Sequence, residues 1–260
     1  MKQLVASFVL LLLFIAGLIM FGFTKNKPEE MMNMEISFLT TDSVLVYGNL
    51  EGQEKEALTV ILFHQARSNA RGEYGSIIPQ LRGNGYNVLS IDQRSGGQLF
   101  GSYNRTVAGM GLNGSTYCDA YPDLEATMDF FSKQDLQGKV AIWGSSYSAA
   151  LVLKLAHDHP ETIDAVLAFS PASGDPMGEC QPNGYFDTLD MPVLVLRPES
   201  EMEYDSVKEQ FELVRQSGHQ VYVAKGGVHG SSMLVEERTN ASVTDTWGVV
   251  LKFLGEIAAD

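Results

Sequence analysis

Short apolar runs alternate with helical patterns over most of the chain. LTVILF at 58–63, NVLSI at 87–91, KVAIW at 139–143, AVLAF at 165–169, PVLVL at 192–196 and VYVA at 221–224 are brief and rich in strand formers. Strands covered on both faces read this way, because neither set of alternating side chains meets water. Ahead of them, residues 36–39 and 44–50 alternate about the turn Thr40-Thr41-Asp42-Ser43 and predict a hairpin. Between the runs, helical spacing covers 76–82, 121–132, 146–156, 207–216 and 244–257. Strand and helix in alternation with short links predict an α/β domain over 36–260. Its sheet is mostly parallel and eight-stranded, with helices on both faces and an antiparallel start.

Two links are longer than the fold requires, 95–118 and 170–190, both rich in glycine. Each follows a strand and so leaves the carboxyl edge of the sheet, where open α/β folds bind ligands. Tyr103, Asn104, Arg105 and Tyr185 in these links are candidate pocket walls. Cys118 and Cys180, the only cysteines, lie one in each link and thus on one edge. A disulfide between them stands as the alternative to two free thiols.

The N-terminus has a different pattern. From Leu4 to Phe23 there is no charged residue, and about 20 apolar residues suffice to span a bilayer. Residues 1–23 are read as an uncleaved anchor, with a cleaved signal as the alternative, since the apolar run is long for a signal core and Gly22-Phe23-Thr24 is a poor cleavage site. Lys2 faces Lys25 and Lys27 across it, so basic residues do not set the orientation. Residues 24–35 read as a polar linker. An anchored or exported domain is therefore expected in the cell envelope, with the folded part outside the cytoplasm and the N-terminal segment as its membrane contact. The 18 basic and 32 acidic side chains give a formal charge of -14, which repels phosphate backbones and argues against nucleic-acid partners.

The candidate chemistry lies in AIWGSSYSAA, residues 141–150. A nucleophile elbow turns a strand abruptly into a helix and needs small residues two positions either side of the nucleophile. Ser146 has Gly144 and Ser148 there. Ser145 is flanked by Trp143 and Tyr147, and Ser148 falls inside the predicted helix. A serine cap of the helix is the simpler role for the same residue.

A serine nucleophile needs a base, and the base needs a carboxylate to orient it. Of the five histidines, only His229 in KGGVHGSS follows a late strand in a glycine-lined loop at the carboxyl edge. The acid is expected after PVLVL, where Glu199, Glu201 and Asp205 compete; Glu201 is best placed and Glu199 is the alternative. The backbone N–H of Tyr147, with that of Gln65 or Ala66 in the loop after the LTVILF strand, would stabilise an oxyanion. His157-Asp158-His159 closes a helix and lacks a third ligand, so no metal is expected.

With LFHQ, IDQR, GSSYS and GGVHG in this order at strand ends, the sequence resembles the α/β-hydrolase superfamily from about residue 37 onward. It is most similar to the small lidless dienelactone-hydrolase and acyl-peptidase types, because the link between AVLAF and PVLVL is too short for a cap domain. The resemblance implies a triad of Ser146, Glu201 and His229 and no cofactor. It departs from the superfamily at His64-Gln65, where His-Gly is usual, at Ser148, where glycine is usual, and in a glutamate where aspartate is the commoner acid. The expected activity is hydrolysis of a small carboxylic ester through an acyl-enzyme. A peptidase or amidase, and a non-catalytic binding module of the same fold, are the alternatives.

Overall fold

A computed structural model describes residues 33–52, 54–111 and 115–259. The predicted anchor at 1–23 and linker residues 24–32 lie outside them. Among the described residues no helix is long and apolar enough to cross a membrane.

Eight strands form one sheet in the order β1-β2-β4-β3-β5-β6-β7-β8. β1 (Asn33–Leu39) and β2 (Leu45–Glu51) are the antiparallel hairpin. β3 (Thr59–Phe63), β4 (Asn87–Asp92), β5 (Val140–Ser145), β6 (Ala165–Phe169), β7 (Val193–Pro198) and β8 (Gln220–Ala224) run parallel to one another. The sheet begins earlier than the hydrophobic pattern predicts, for Asn33, Met34 and Glu35 pair with Glu51, Leu50 and Asn49. β1 is an edge strand whose first residues are exposed, so polar side chains are tolerated there and mask the strand in the sequence.

The helices are α1 (Ala70–Tyr74), α2 (Ile77–Gly83), α3 (Arg105–Met110), α4 (Tyr121–Phe131), α5 (Tyr147–Asp158), α6 (Asp205–Gln216), α7 (Glu236–Thr239) and α8 (Thr244–Ala259). The alternation of side chains along the central strands divides the interior into two layers. Ile61, Leu89, Ile142, Val166 and Val195 face one layer with Leu124 of α4, Leu151 of α5 and Phe211 of α6. Val60, Leu62, Val88, Trp143, Leu167 and Leu196 face the other with Ile77 of α2 and Trp247, Phe253 and Leu254 of α8. Because every residue of β3 to β7 is buried, the strand pattern is continuous rather than alternating, as the sequence shows.

The two long links contain more structure than their composition suggests. Asn104 caps α3, its Oδ1 accepting from the Val107 N–H at 2.8 Å. Arg105 is buried and paired with Asp92 at 2.6 Å and Glu35 at 2.9 Å. Neither side chain is a pocket wall, contrary to expectation, because Asn104 is turned inward to the Gln93 carbonyl and His64 while Arg105 ties α3 to the hairpin. Tyr185 is displaced too: it packs on His157 in the last turn of α5, at the end opposite the sheet's carboxyl edge. Tyr103 is exposed beneath the Arg71 guanidinium, 4.8 Å from its ring centre. α1, α3 and α7 are too short to register as helical periodicity.

Cys118 and Cys180 form a disulfide across a sequence separation of 62 residues. Closing a loop of that size removes chain entropy from the unfolded state worth up to about 4 kcal/mol in the loop-closure picture. Beside it, Tyr117 stacks on Tyr147 with ring centres 5.0 Å apart. The bridge thus fastens both long links near the start of α5.

Candidate active site

β5 ends at Ser145 and α5 starts at Tyr147, so one residue makes the whole reversal. That residue, Ser146, has φ 61° and ψ -118°. A non-glycine residue held there costs about 1–3 kcal/mol and persists only when its surroundings fix it. Three contacts do so. The Ser146 N–H donates to the Phe169 carbonyl at 2.8 Å, and its carbonyl accepts from the N–H groups of Ala149 at 3.0 Å and Ala172 at 3.1 Å. A Cβ on Gly144 would stand 2.3 Å from the Ser148 carbonyl oxygen, so α5 can lie this close to β5 only above a glycine. Ser148 adds a tie that glycine could not, since its hydroxyl donates to the His64 carbonyl at 2.6 Å and lies 2.9 Å from Gln93 Oε1. The side chain of Ser146 remains partly exposed while its neighbours are buried.

Ser145, excluded as a nucleophile by its bulky neighbours, has a different task. Its buried hydroxyl accepts from the Ser231 N–H at 2.9 Å. The Ser231 hydroxyl accepts from Trp143 Nε1 at 2.8 Å, and the Gly230 N–H donates to Ser170 Oγ at 3.1 Å. Gly230, at φ 67°, has room for no side chain, since a Cβ would meet Ser145 Oγ at 2.5 Å. These bonds hold the loop carrying His229 against the strand that delivers Ser146.

Glu201 lies in a 3-10 turn, Glu199–Glu203, directly after β7. Its Oε1 is 2.5 Å from His229 Nδ1, and its Oε2 accepts from Arg197 Nη1 at 2.7 Å. A carboxylate only accepts, so Nδ1 carries the proton and Nε2 is left for other work. Burial pushes the Glu201 carboxyl up, but the bonds from His229 and Arg197 outweigh it and hold the group below the usual glutamate range. Among the described residues Glu199 makes no such contact, and Asp205 pairs with Lys208 at 2.9 Å. Among the described residues Ser146 Oγ makes no hydrogen bond to His229; such bonds are often long before substrate binds.

Arg197 was not foreseen. It is buried, and besides Glu201 it donates to the Pro171 carbonyl and Gln210 Oε1, both at 2.5 Å. The signal was present in PVLVLRP, since a cation at the end of a buried apolar strand requires a charged partner nearby.

The N–H of Tyr147 at the start of α5 and the N–H of Ala66 donate to no acceptor among the described residues. Gln65 is removed as an oxyanion candidate, because its N–H is already donated to Glu73 Oε2 at 2.8 Å. His64 controls the neighbouring peptide. Its Nε2 accepts from the Gln93 N–H at 2.9 Å, so Nδ1 bears the hydrogen and donates to the Gln65 carbonyl at 2.8 Å. That peptide is planar and trans, which directs the Ala66 N–H the opposite way. Burial holds the His64 pKa below its usual value, so the ring stays neutral in this structural role. Among the described residues no cluster of three or more His, Cys, Asp or Glu side chains could hold a metal. His157 instead contacts Thr188 Oγ1 at 2.8 Å.

A serine on a strained strand-to-helix turn, free backbone donors beside it and a carboxylate-held imidazole on the same sheet edge define a serine hydrolase of the α/β-hydrolase fold. Residues 54–229 match the family of serine aminopeptidases S33, and the chain belongs to it. No curated protein matches the sequence. Among solved structures, a thermostable carboxyl esterase from Bacillus coagulans superposes with TM-score 0.70 at 11% identity, over 88% of this chain and 100% of that one. An esterase from Pyrococcus furiosus gives 0.64 at 16% identity over 91% and 93%. The Pyrococcus horikoshii acylaminoacyl peptidase gives 0.62 at 12% identity over 90% of this chain but 43% of the peptidase. At these identities the likeness is one of fold.

The Glu201 environment has a consequence for stability. A carboxyl whose folded pKa is depressed stabilises the native state above its unfolded pKa, and the contribution disappears as pH falls through the folded value. Arg197→Met should therefore lower Tm most near neutral pH, and its deficit against the wild type should narrow as pH falls below the usual glutamate range. Thermal melts across about pH 3 to 7 check this; a deficit that does not change with pH would count against the ion pair.

Proposed function

We infer that the protein is an exported or membrane-anchored serine hydrolase that cleaves a carboxylic ester through an acyl-enzyme. The observation that carries the catalytic part is the His229–Glu201 pair at 2.5 Å, on a loop bonded to Ser145 and Ser170, the residues next to the Ser146 turn and its β6 support. In this reading Ser146 Oγ attacks the ester carbonyl carbon while His229 Nε2 takes its proton, and Glu201 stabilises the imidazolium. The N–H groups of Tyr147 and Ala66 receive the oxyanion, each such donor being worth about 10²–10³ in kcat. His229 returns the proton to the leaving alcohol as the carbon–oxygen bond breaks. Water, deprotonated by the same imidazole, then attacks the acyl group, and Ser146 leaves with the proton restored.

The esterase structures above favour an ester, whereas the family description and the acylaminoacyl peptidase favour a peptide or amide as the second reading. Turnover of short-chain p-nitrophenyl esters against aminoacyl p-nitroanilides separates them. Esters are expected to be the better substrates, with Ser146→Ala and His229→Ala each losing at least about 10³-fold in kcat and Glu201→Gln losing less. Faster cleavage of the anilides would select the peptidase. No turnover of either by folded protein would leave a binding module.

The apolar stretch from Leu4 to Phe23 and the Cys118–Cys180 bridge support an envelope location, since disulfides persist in oxidising compartments. The full chain should sediment with membranes, resist carbonate extraction and change gel mobility on reduction. Recovery as reduced protein in the soluble fraction would overturn this part of the reading.

A further inference from the structure

Glu73 is a fully buried carboxyl with no part in the steps above. It lies in α1, whose N-cap Asn69 accepts from the Gly72 N–H at 2.7 Å, and whose first N–H, that of Ala70, is bonded to Asp92 at 2.8 Å. Arg238 of α7 crosses the other end of α1, donating to the Gly72 carbonyl at 2.6 Å and the Glu73 carbonyl at 3.0 Å, with its guanidinium over the Phe100 ring. The helix is thus fixed at both ends. From it Glu73 reaches back eight residues, and Oε2 accepts the Gln65 N–H. Gln65 is consequently held on both sides: its N–H by Glu73, and its carbonyl by His64 Nδ1.

A carbonyl held at one edge can still swing about the preceding torsions, and a peptide that swings turns the next N–H away from the reacting carbon. We propose that Glu73 is a positioning residue of the oxyanion site, fixing the Gln65 backbone so that the Ala66 N–H meets the tetrahedral intermediate. The proposal rests on the reading of Ser146 as an ester-cleaving nucleophile.

Burial pushes the Glu73 carboxyl up, against the neighbouring Ser145 hydroxyl, the Gln65 N–H, the Ser68 hydroxyl and the charge of Arg238. The bond to the Gln65 N–H needs only an acceptor oxygen at this position, which an amide also supplies. Glutamine should therefore replace Glu73.

The test compares wild type, Glu73→Gln and Glu73→Leu in kcat and KM on p-nitrophenyl butyrate and in affinity for phenylboronic acid, whose serine adduct places an oxygen where the oxyanion forms. Glu73→Leu is expected to lose about 10²-fold in kcat, to lose boronate affinity in parallel and to keep KM within a few-fold. Glu73→Gln should recover most of both. If Glu73→Leu is poorly folded, the Gln variant still decides: a folded Glu73→Gln with a kcat about 10²-fold down refutes the acceptor role. Unchanged kcat and boronate affinity in Glu73→Leu would overturn the proposal while leaving the hydrolase reading intact. A wild type that turns over no ester would sink that reading and the proposal with it.

Discussion

The close approach of α5 to β5 is the constraint on which the rest depends. Gly144 lets the backbone of Ser148 and Ala149 come within 2.3–2.6 Å of where a Cβ would stand, and only this proximity lets one residue turn strand into helix. The strain is concentrated on Ser146 and opposed by bonds from β6 and the link after it. Strain of about 1–3 kcal/mol is tolerable in such a frame because the core on both sides of β5 is continuous. What the strain provides is exposure: the Ser146 side chain stands clear while every adjacent residue is buried.

Around that turn the chain uses buried hydrogen bonds to place the His229–Glu201 pair. Ser145, Ser170 and Ser231 secure the loop that carries His229, and Arg197 secures the turn that carries Glu201. The two terminal nitrogens of Arg197 donate to a carbonyl, an amide oxygen and the carboxylate, so a cation taken from water into a buried strand end recovers part of its lost solvation. The same economy appears in the loop after β3, where neutral His64 and buried Glu73 fix the two peptides on either side of the Gln65 Cα.

Much of this was legible in the amino-acid order, for identifiable reasons. The central strands show as apolar runs because both faces are covered, and the elbow shows because sterics allow only small residues at 144 and 148. His229 is legible because it alone combines a late strand, glycine neighbours and the carboxyl edge. The remainder depends on contacts distant in sequence. Nothing local marks Glu73 as a partner of Gln65, or shows that Asn104 and Arg105 are turned inward to Gln93 and Asp92. Short helices such as α3 are set by a cap and an ion pair rather than by periodicity, and so escape a reading based on spacing. The choice between Gln65 and Ala66 likewise required knowing where an N–H was already committed.

Covalent labelling by a fluorophosphonate, located by peptide mass spectrometry, tests the central claim most directly, since the reagent reacts with a serine only where base and oxyanion donors converge on it. A single adduct is expected on the peptide bearing Ser146, absent in Ser146→Ala and strongly slowed in His229→Ala. No adduct on well-folded protein, or an adduct on another serine, would contradict it.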